Sequence, residues 1–280
     1  MVADLHLHTR HSDGTYTPSE LVEAATGHGL SAIALTDHDT IEGCAEVAGL
    51  AERAGIGFLT GTEITAELKG RELHILGYLV DTGHDGLRTA LGEAQKVRQD
   101  RVREMVARLN ALGIPLMEER VFELAACRAP GRPHVARALV AGGHCTSLDE
   151  AFDRYLKKNR PGWVPKWKMS AERAVALIHE AGGIAVMAHP GLNHDDRMID
   201  RLVRLGVDGL ECHHPKHGPA AVEKYLGLAR GYGLLVTGGS DCHGRSKNRP
   251  TMGTVRLGWE HVEALRARHG SGVRGAVGEG

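Results

Sequence analysis

The order of apolar and amphipathic segments most constrains the fold of this chain. Short apolar runs read as strands, and segments of helical periodicity separate them. Over the first eighty residues the predicted strands span 2–7, 31–36, 56–62 and 72–80, and the predicted helices span 18–28 and 40–55. Strands that alternate with helices are typical of an α/β fold with a parallel sheet and right-handed crossovers.

The alternation stops near residue 82 and resumes near residue 166. Between these points an amphipathic pattern predicts a helix over 86–112, and short helical patterns follow it without a strand signal. The later predicted helices span 171–181, 197–205 and 219–232, and the later predicted strands span 183–188, 207–212 and 234–239. We therefore predict a catalytic domain formed by residues 1–82 and 166–280, and a helical insertion or cap formed by residues 83–165.

Polar residues follow several of the predicted strands. In the first strand His6 and His8 point to the same face, because the side chains of a strand alternate. Two neighbouring imidazoles can also be ordinary surface residues, so this pair gains weight only from the rest of the pattern. His, Asp and Glu residues recur at or beyond the ends of later strands, which is where parallel α/β folds build their sites.

The composition favours metal chemistry over polymer binding. The 280 residues include 18 histidines, and imidazole is the commonest metal ligand. The 34 Lys and Arg residues nearly balance the 35 Asp and Glu residues, so long-range attraction of a nucleic-acid polymer is not evident. Five cysteines without a Cys-x-x-Cys pair predict neither a disulfide framework nor a thiolate zinc site. Without a signal-like segment or a long apolar run, we expect a reduced, cytoplasmic protein.

The candidate metal ligands come from the predicted strand ends. They are His6, His8, Asp13, His38, Glu63, His74, His189, Asp241 and His243. Imidazole and carboxylate donors without thiolates suit Mn²⁺, Zn²⁺, Fe²⁺ or Mg²⁺, of which we expect Mn²⁺ first. This set of donors exceeds what one ion can bind, so the sequence predicts two or three divalent ions that share carboxylates.

The motifs that carry these residues resemble those of the PHP (polymerase and histidinol phosphatase) superfamily. They are Asp4-Leu5-His6-Leu7-His8-Thr9, His11-Ser12-Asp13-Gly14, Thr36-Asp37-His38-Asp39, Gly61-Thr62-Glu63, Ala188-His189-Pro190-Gly191 and Gly239-Ser240-Asp241-Cys242-His243. The chain is most similar to the stand-alone metal-dependent phosphoesterases of that superfamily, which act on nucleoside 3',5'-bisphosphates or short oligoribonucleotides. The resemblance implies a distorted, TIM-like (β/α)7 barrel with a trinuclear metal site at its mouth.

The resemblance also implies a role for each ligand. His6, His8, Glu63 and Asp241 would hold one ion, Glu63 would bridge it to a second ion bound by His74 and His189, and Asp13, His38 and His243 would hold a third. A water that bridges two cations loses a proton near neutral pH, and the hydroxide can attack a phosphoryl group. Asp37 and Asp39 are better interpreted as groups that orient ligands or cap a helix.

Two further pairs are candidates for contact with a substrate. His213 and His214 follow a strand, and one of them could protonate the leaving group, with an ordinary loop role as the alternative. Arg132 and His134 open a predicted helix that resembles a substrate-contacting segment of the nucleotide phosphatases. The Arg132 guanidinium suits a second, non-scissile phosphate, and the alternative is a solvated arginine at a helix N-terminus.

Four functions remain open on the sequence alone. The leading one is a metal-dependent phosphoesterase that hydrolyses phosphomonoesters of small nucleotides. A histidinol-phosphatase-like enzyme and an amidohydrolase-type C–N hydrolase are the enzymatic alternatives, although the latter usually has a carboxylated lysine where Glu63 stands. A metal-stabilised interaction domain without activity is the fourth. We expect a small phosphorylated substrate, and neither a membrane nor a long nucleic acid as partner.

Overall fold

The computed structural model describes residues 1–246 and 250–271. Its strands are β1 (Val2–Leu7), β2 (Ala32–Leu35), β3 (Gly57–Leu59), β4 (Gly61–Leu68), β5 (Arg71–Tyr78), β6 (Met169–Ser170), β7 (Ile184–Met187), β8 (Gly209–His213), β9 (Leu235–Gly238) and β10 (Leu257–Gly258). Its α-helices are α1 (Pro18–Gly27), α2 (Cys44–Ala54), α3 (Asp85–Ala111), α4 (Glu118–Ala125), α5 (Arg132–Ala141), α6 (Leu148–Ala151), α7 (Ala171–Glu180), α8 (Arg197–Arg204), α9 (Pro219–Tyr232) and α10 (Trp259–Ser271). A π-helical turn, Phe152–Leu156, follows α6 directly. The predicted mixed α/β class is therefore confirmed.

The strands form two sheets, ordered β10-β1-β2-β3 and β6-β4-β5-β7-β8-β9. The pairs β1–β2, β2–β3, β7–β8 and β8–β9 are parallel, whereas β5 is antiparallel to both β4 and β7. Isolated parallel bridges join Leu7 to Cys242 and His38 to Glu63. Through these bridges the segments that carry the candidate ligands lie side by side.

The hairpin of β4 and β5 interrupts the parallel order. Its two-residue turn at 69–70 has positive φ angles of 52° and 75°, which suit the right-handed twist of paired strands. Glu63 lies opposite Leu76 in the ladder, and Thr65 lies opposite His74. Glu63 and His74 are therefore diagonal neighbours on one face of the hairpin. The register of this hairpin fixes the spacing of two candidate ligands.

The strand predicted over 56–62 is wrong in its extent. The segment forms two strands, β3 and β4, and β4 continues to Leu68. Eight residue pairs join β4 to β5, from Gly61 opposite Tyr78 to Leu68 opposite Arg71. Cross-strand pairing therefore decides the length of β4, and the apolar pattern of the segment alone does not show it.

The helix predicted over 40–55 begins later, at Cys44, and Asp39 does not cap it. Asp39 has a positive φ of 50° and its carboxylate accepts a hydrogen bond of 2.7 Å from Arg98 Nε. Arg98 lies in α3, far from Asp39 in the sequence. A long-range ion pair has therefore replaced the local capping interaction.

The helices between β5 and β6 contain an apolar core of their own. Its fully buried residues include Val102, Leu109, Val121 and Leu139. Leu87, at the start of α3, packs instead into the core formed by the strands and α7. The long helix α3 thus belongs to both cores, and the separate character of segment 83–165 stays a prediction. Among the described residues, no helix combines the length and apolar character needed to cross a bilayer.

Candidate metal centre

All nine predicted ligands come together in space. They come from strands or from the segments that follow them: His6 and His8 (β1), Asp13 (the loop before α1), His38 (after β2), Glu63 (β4), His74 (β5), His189 (after β7), and Asp241 and His243 (after β9). That these residues bind metal ions stays a prediction. Their arrangement, described below, shows what such a site would offer.

Glu63 lies at the middle of the cluster. Its Oε2 atom lies 3.2 Å from His6 Nε2 and 3.0 Å from His38 Nδ1. Its Oε1 atom lies 2.6 Å from His74 Nδ1 and 3.1 Å from His189 Nε2. With His8 Nε2 at 3.3 Å from Oε2, one carboxylate thus faces five imidazoles with its two oxygens, which is the arrangement expected of a group that bridges two ions.

Two further carboxylates complete the cluster. Asp13 Oδ1 lies 3.1 Å from His243 Nε2 and 3.9 Å from His38 Nε2. Asp241 Oδ1 lies 3.2 Å from His8 Nε2. Three groups of donor atoms, each within 4.8 Å of one another, result: His8, Asp13, His38 and His243; His6, His8 and Asp241; and His38, Glu63 and His74.

Several donor atoms of the cluster lack the partners that buried polar atoms normally have. His8 Nε2, Asp13 Oδ1 and His38 Nδ1 are buried and lie 3.0 to 3.2 Å from other donor atoms of the cluster, but within the described residues none of these contacts has the geometry of a hydrogen bond. A buried polar atom without a partner is costly unless something absent from the protein chain satisfies it. Converging nitrogen and oxygen donors of this kind fit divalent metal ions.

The electrostatics keep the carboxylates of the cluster ionised. Burial alone would raise the pKa of Glu63, but the imidazoles of His38 and His74 hold that pKa well below its usual range. Burial opposes ionisation of Asp13 in the same way, and His243 and His38 hold its pKa well below the usual range. Both groups therefore carry negative charge at neutral pH, as ligands of a cation must.

Glu211 supports the cluster and was missed by the sequence reasoning. It is fully buried in β8; its Oε1 lies 2.9 Å from His6 Nδ1, and its Oε2 accepts a 2.7 Å hydrogen bond from the His189 backbone N–H. These contacts direct His6 Nε2 towards Glu63. The available signal was a carboxylate inside the strand predicted over 207–212, which also holds Asp208, because an acidic residue is buried only when it is paired.

Asp37 and Asp39 stand outside the donor cluster. Asp37 accepts hydrogen bonds from the hydroxyls of Thr9 and Ser12, the latter at 2.6 Å. Asp39 instead forms the ion pair with Arg98. These contacts hold the loops that carry Asp13 and His38, which agrees with an orienting role for both carboxylates.

The backbone near the cluster adopts sparsely populated conformations. Asp39, His189 and Asp241 have φ angles of 50°, 28° and 49°. Residues other than glycine rarely occupy this left-handed region, and such strain concentrates at functional sites. Gly239 has a different reason to be glycine, because a Cβ atom there would overlap the backbone and Cβ of His6.

The structure separates the two adjacent histidines that follow β8. His214 is buried, with Nε2 3.5 Å from Asp241 Oδ2 and its ring 5.5 Å from that of His189. His213 instead lies 6.1 Å, ring to ring, from His261 of α10. Of the two, only His214 faces the cluster.

Arg132 and His134 both lie at the start of α5, but in different surroundings. Arg132 lines a basic groove of about 530 Å³. His134 is fully buried, its Nδ1 accepts a 3.0 Å hydrogen bond from the Gly131 backbone N–H, and its Nε2 has no partner among the described residues. Burial lowers the pKa of His134 to about 4, so the ring is neutral at pH 7.

The basic groove adjoins the metal centre. Its cationic lining residues are Arg71, Arg101, Arg132, Lys158, Lys166 and Lys168. The lining also includes Glu72, whose Oε1 lies 3.8 Å from His74 Nε2 and so connects the groove to the cluster. In the described part of the chain, neither Arg101 nor Arg132 has a carboxylate within 4 Å, and their hydrogen bonds reach backbone oxygens of Val164 and Leu156.

Comparison with known proteins decides the family. Residues 4–160 match the PHP domain family. This chain belongs to the PHP family. The resemblance predicted from the motifs is therefore confirmed.

Two curated relatives of the PHP chain align over most of their length. The 3',5'-nucleoside bisphosphate phosphatase of Chromobacterium violaceum is 35% identical, over 93% of this chain and 96% of the relative. The 5'-3' exoribonuclease Rnm of Salmonella typhimurium is 33% identical, over 87% of this chain and 85% of the relative. A crystal structure from Bifidobacterium adolescentis, assigned to the metal-dependent phosphoesterases, superposes with a TM-score of 0.88 at 34% identity, over 95% of this chain and 96% of that one.

Proposed function

We propose that this PHP protein is a metal-dependent phosphoesterase that hydrolyses phosphomonoesters of small nucleotides. Nucleoside 3',5'-bisphosphates and short oligoribonucleotides are the proposed substrates. The observation that carries this proposal is the basic groove beside the nine converging donors. Cations without carboxylate partners next to a metal centre suit a substrate with a second phosphate. The names of the two curated relatives point to the same chemistry.

We propose that three divalent ions, Mn²⁺ first among the candidates, bind the nine donors. His6, His8, Glu63 and Asp241 would hold one ion; Glu63, His74 and His189 a second; and Asp13, His38 and His243 a third. When bound, such ions supply an activated water and neutralise charge on the phosphoryl oxygens. We also propose that the two sheets and their bridges form the distorted (β/α)7 barrel, with segment 83–165 as its cap.

Protein groups around the proposed ions orient ligands and substrate. The Lys216 backbone N–H donates a 3.1 Å hydrogen bond to His214 Nδ1, so the ring proton resides on Nε2 and points towards Asp241. Because it faces the cluster, His214, and not His213, is the residue that we propose to protonate the leaving group. By the same reasoning His134 carries its proton on the unpartnered Nε2; because the ring is fully buried, donation to a substrate oxygen would require the start of α5 to move.

The second phosphate would bind between Arg101 and Arg132. Burial, and after it the nearby Arg132 charge, lowers the pKa of Arg101 to about 10, so that both groups remain cationic at neutral pH. Two adjacent cations without a carboxylate repel each other, and a bound phosphate would remove this repulsion. Guanidinium groups bind phosphate with paired hydrogen bonds, which makes the groove selective for a doubly charged end of the substrate.

The assay compares phosphate release from four esters. Protein stripped with chelator and reloaded with Mn²⁺ is incubated with adenosine 3',5'-bisphosphate, AMP, histidinol phosphate or a short oligoribonucleotide. We expect Mn²⁺-dependent hydrolysis of the bisphosphate or the oligoribonucleotide. Hydrolysis of histidinol phosphate alone would overturn the nucleotide assignment, and hydrolysis of none of the four, with activity on a C–N substrate, would favour the amidohydrolase alternative.

A further inference from the structure

A second cavity borders a different side of the metal centre. This apolar pocket has a volume of about 230 Å³. Pro133, Leu148 and Phe152 form its apolar wall, and the candidate ligands Asp13 and His243 form its inner end. The basic groove, in contrast, meets the centre through its lining residue Glu72, which lies 3.8 Å from His74. A molecule bound at the centre can therefore extend both into a cationic cavity and into an apolar one.

The rim of the apolar pocket is polar on two sides. Arg137 donates a 2.6 Å hydrogen bond from Nη2 to the backbone oxygen of Asp13, so this cation is held in place. Asp149 is exposed at the rim, and within the described residues its carboxylate has no ion pair. An ionised carboxylate only accepts hydrogen bonds, so a ligand with N–H donors at its edge suits this position.

Phe152 separates the pocket from the basic groove. The Arg132 guanidinium, which lines the groove, lies 5.9 Å from the centre of the Phe152 ring, which lines the pocket. Phe152 is also the first residue of the π-helical turn, closed by a 2.9 Å hydrogen bond from the Lys157 N–H to its carbonyl. Isolated π-turns frequently occur at functional sites, where they redirect a side chain.

We infer that the apolar pocket binds the nucleobase of the substrate, with Phe152 as the aromatic contact and Asp149 as an acceptor for the N–H groups of the base. This inference rests on the proposed nucleotide phosphoesterase function. A nucleoside bisphosphate with one phosphate at the metal centre must place its second phosphate and its base nearby. The charged phosphate matches the basic groove, and the uncharged aromatic base matches the apolar pocket.

The test compares a substrate with and without a base. Mn²⁺-loaded full-length protein and its Phe152→Ala variant are assayed with adenosine 3',5'-bisphosphate and with the abasic sugar bisphosphate, which keeps both phosphates. Loss of a base–aromatic contact should raise KM for the nucleotide roughly tenfold more than KM for the abasic compound. If Phe152→Ala does not fold, Phe152→Leu removes the ring while it keeps apolar packing.

Phe122→Ala is the matched control. Phe122 also packs on the core of the helical segment and also lies under an arginine, Arg103, at 5.1 Å, but it lines neither cavity. We expect Phe122→Ala to leave the ratio of the two KM values unchanged. An equal rise of KM for both substrates in Phe152→Ala, or the same change of the ratio in Phe122→Ala, would overturn the inference.

Equilibrium binding separates failure of the pocket from failure of the proposed function. If the unmodified protein hydrolyses neither substrate, the proposed function fails. Calorimetry with AMP and ribose 5-phosphate then decides the role of the pocket. Tighter binding of AMP, lost in Phe152→Ala, would support a base-binding pocket, and equal affinities for the two compounds would overturn it.

Discussion

The candidate metal centre and the two cavities beside it are built from different parts of the molecule. The centre consists of strand residues and of segments directly after strands, and His6, His8 and Glu63 are at most 1% exposed. The helices between β5 and β6, with the loops around them, supply most of the walls of both cavities through side chains that are largely part-exposed. The proposed function thus assigns the reaction to the sheets and substrate choice to the helical segment. Changes in the sheet should affect every substrate, whereas changes in the helical segment should distinguish substrates.

The largest loss of activity is expected when Glu63, at the middle of the candidate metal centre, is changed. Glu63→Gln removes the charge that faces five imidazoles, so turnover of every phosphomonoester should fall by more than about a hundredfold, with fewer bound ions. Steady-state kinetics and elemental analysis measure both effects. Glu52→Gln, on the exposed face of α2 and lining neither cavity, is the control. Full activity in Glu63→Gln would show that the centre is not the site of reaction.

A smaller loss, of metal affinity, should follow when Glu211, which orients His6, is changed. Glu211→Gln weakens the contacts that direct His6 towards Glu63, so metal affinity should fall about 10- to 100-fold. Excess Mn²⁺ should restore most of the activity, since the ligands themselves remain. Metal titration of the stripped protein checks this, with Glu223→Gln on the exposed face of α9 as control. Failure of Mn²⁺ to rescue would indicate a role other than orientation.

In the helical segment, a substitution should discriminate between substrates. Arg132→Ala removes a cation proposed to bind the second phosphate, so KM for a nucleoside bisphosphate should rise about tenfold or more, with little change for a monophosphate. Arg120→Ala, whose arginine pairs with Glu123 on the exposed side of α4, is the control. An equal change of KM for the bisphosphate and the monophosphate would show that Arg132 does not distinguish substrates.

The smallest effect concerns the free energy of unfolding and its dependence on Lys166, a residue that lines the basic groove. Burial, with a contribution from Arg98, lowers the pKa of Lys166 from 10.5 to about 8. Between these pH values the unfolded chain binds more protons than the folded chain, so the free energy of unfolding rises with pH across this window. Well below pH 8 the full cost of the buried charge is present.

Lys166→Met should therefore raise the free energy of unfolding at pH 7 by about 1 to 3 kcal/mol. It should also flatten the pH dependence between pH 8 and 10.5. Urea titrations at several pH values measure both quantities, and Lys96→Met on the exposed face of α3 is the control. An unchanged slope in Lys166→Met would show that another group titrates in that window.

The sequence predicts elements whose signal is local. β1 is found at its predicted position, and the last three predicted strands lie within a few residues of β7, β8 and β9. The nine donors can be identified from the sequence because each lies in a predicted strand or in the segment that follows one. The parallel order of the strands brings most of them to one edge, whereas Glu63 and His74 are placed by the antiparallel β4–β5 hairpin, which the alternation of strands and helices does not predict.

The sequence analysis does not identify features that depend on contacts between residues far apart in the chain. Glu211 is defined by its contact with His6, 205 residues away, and the Asp39–Arg98 pair spans 59 residues. No periodicity in a short window records such partners, so the local cap signal at Asp39 was misleading. The apolar pocket likewise depends on how the segment after α6 folds against α5, which is set by tertiary packing.

The hairpin of β4 and β5 has a consequence for how the protein reaches its folded state. A slip of one residue between these strands would carry His74 to the opposite face and separate it from Glu63, although the ladder could form as many hydrogen bonds. If the proposed ions bind, they stabilise only the register that keeps both side chains together. The catalytic cofactor would then act as a template during folding, selecting one strand alignment from alternatives of similar backbone energy.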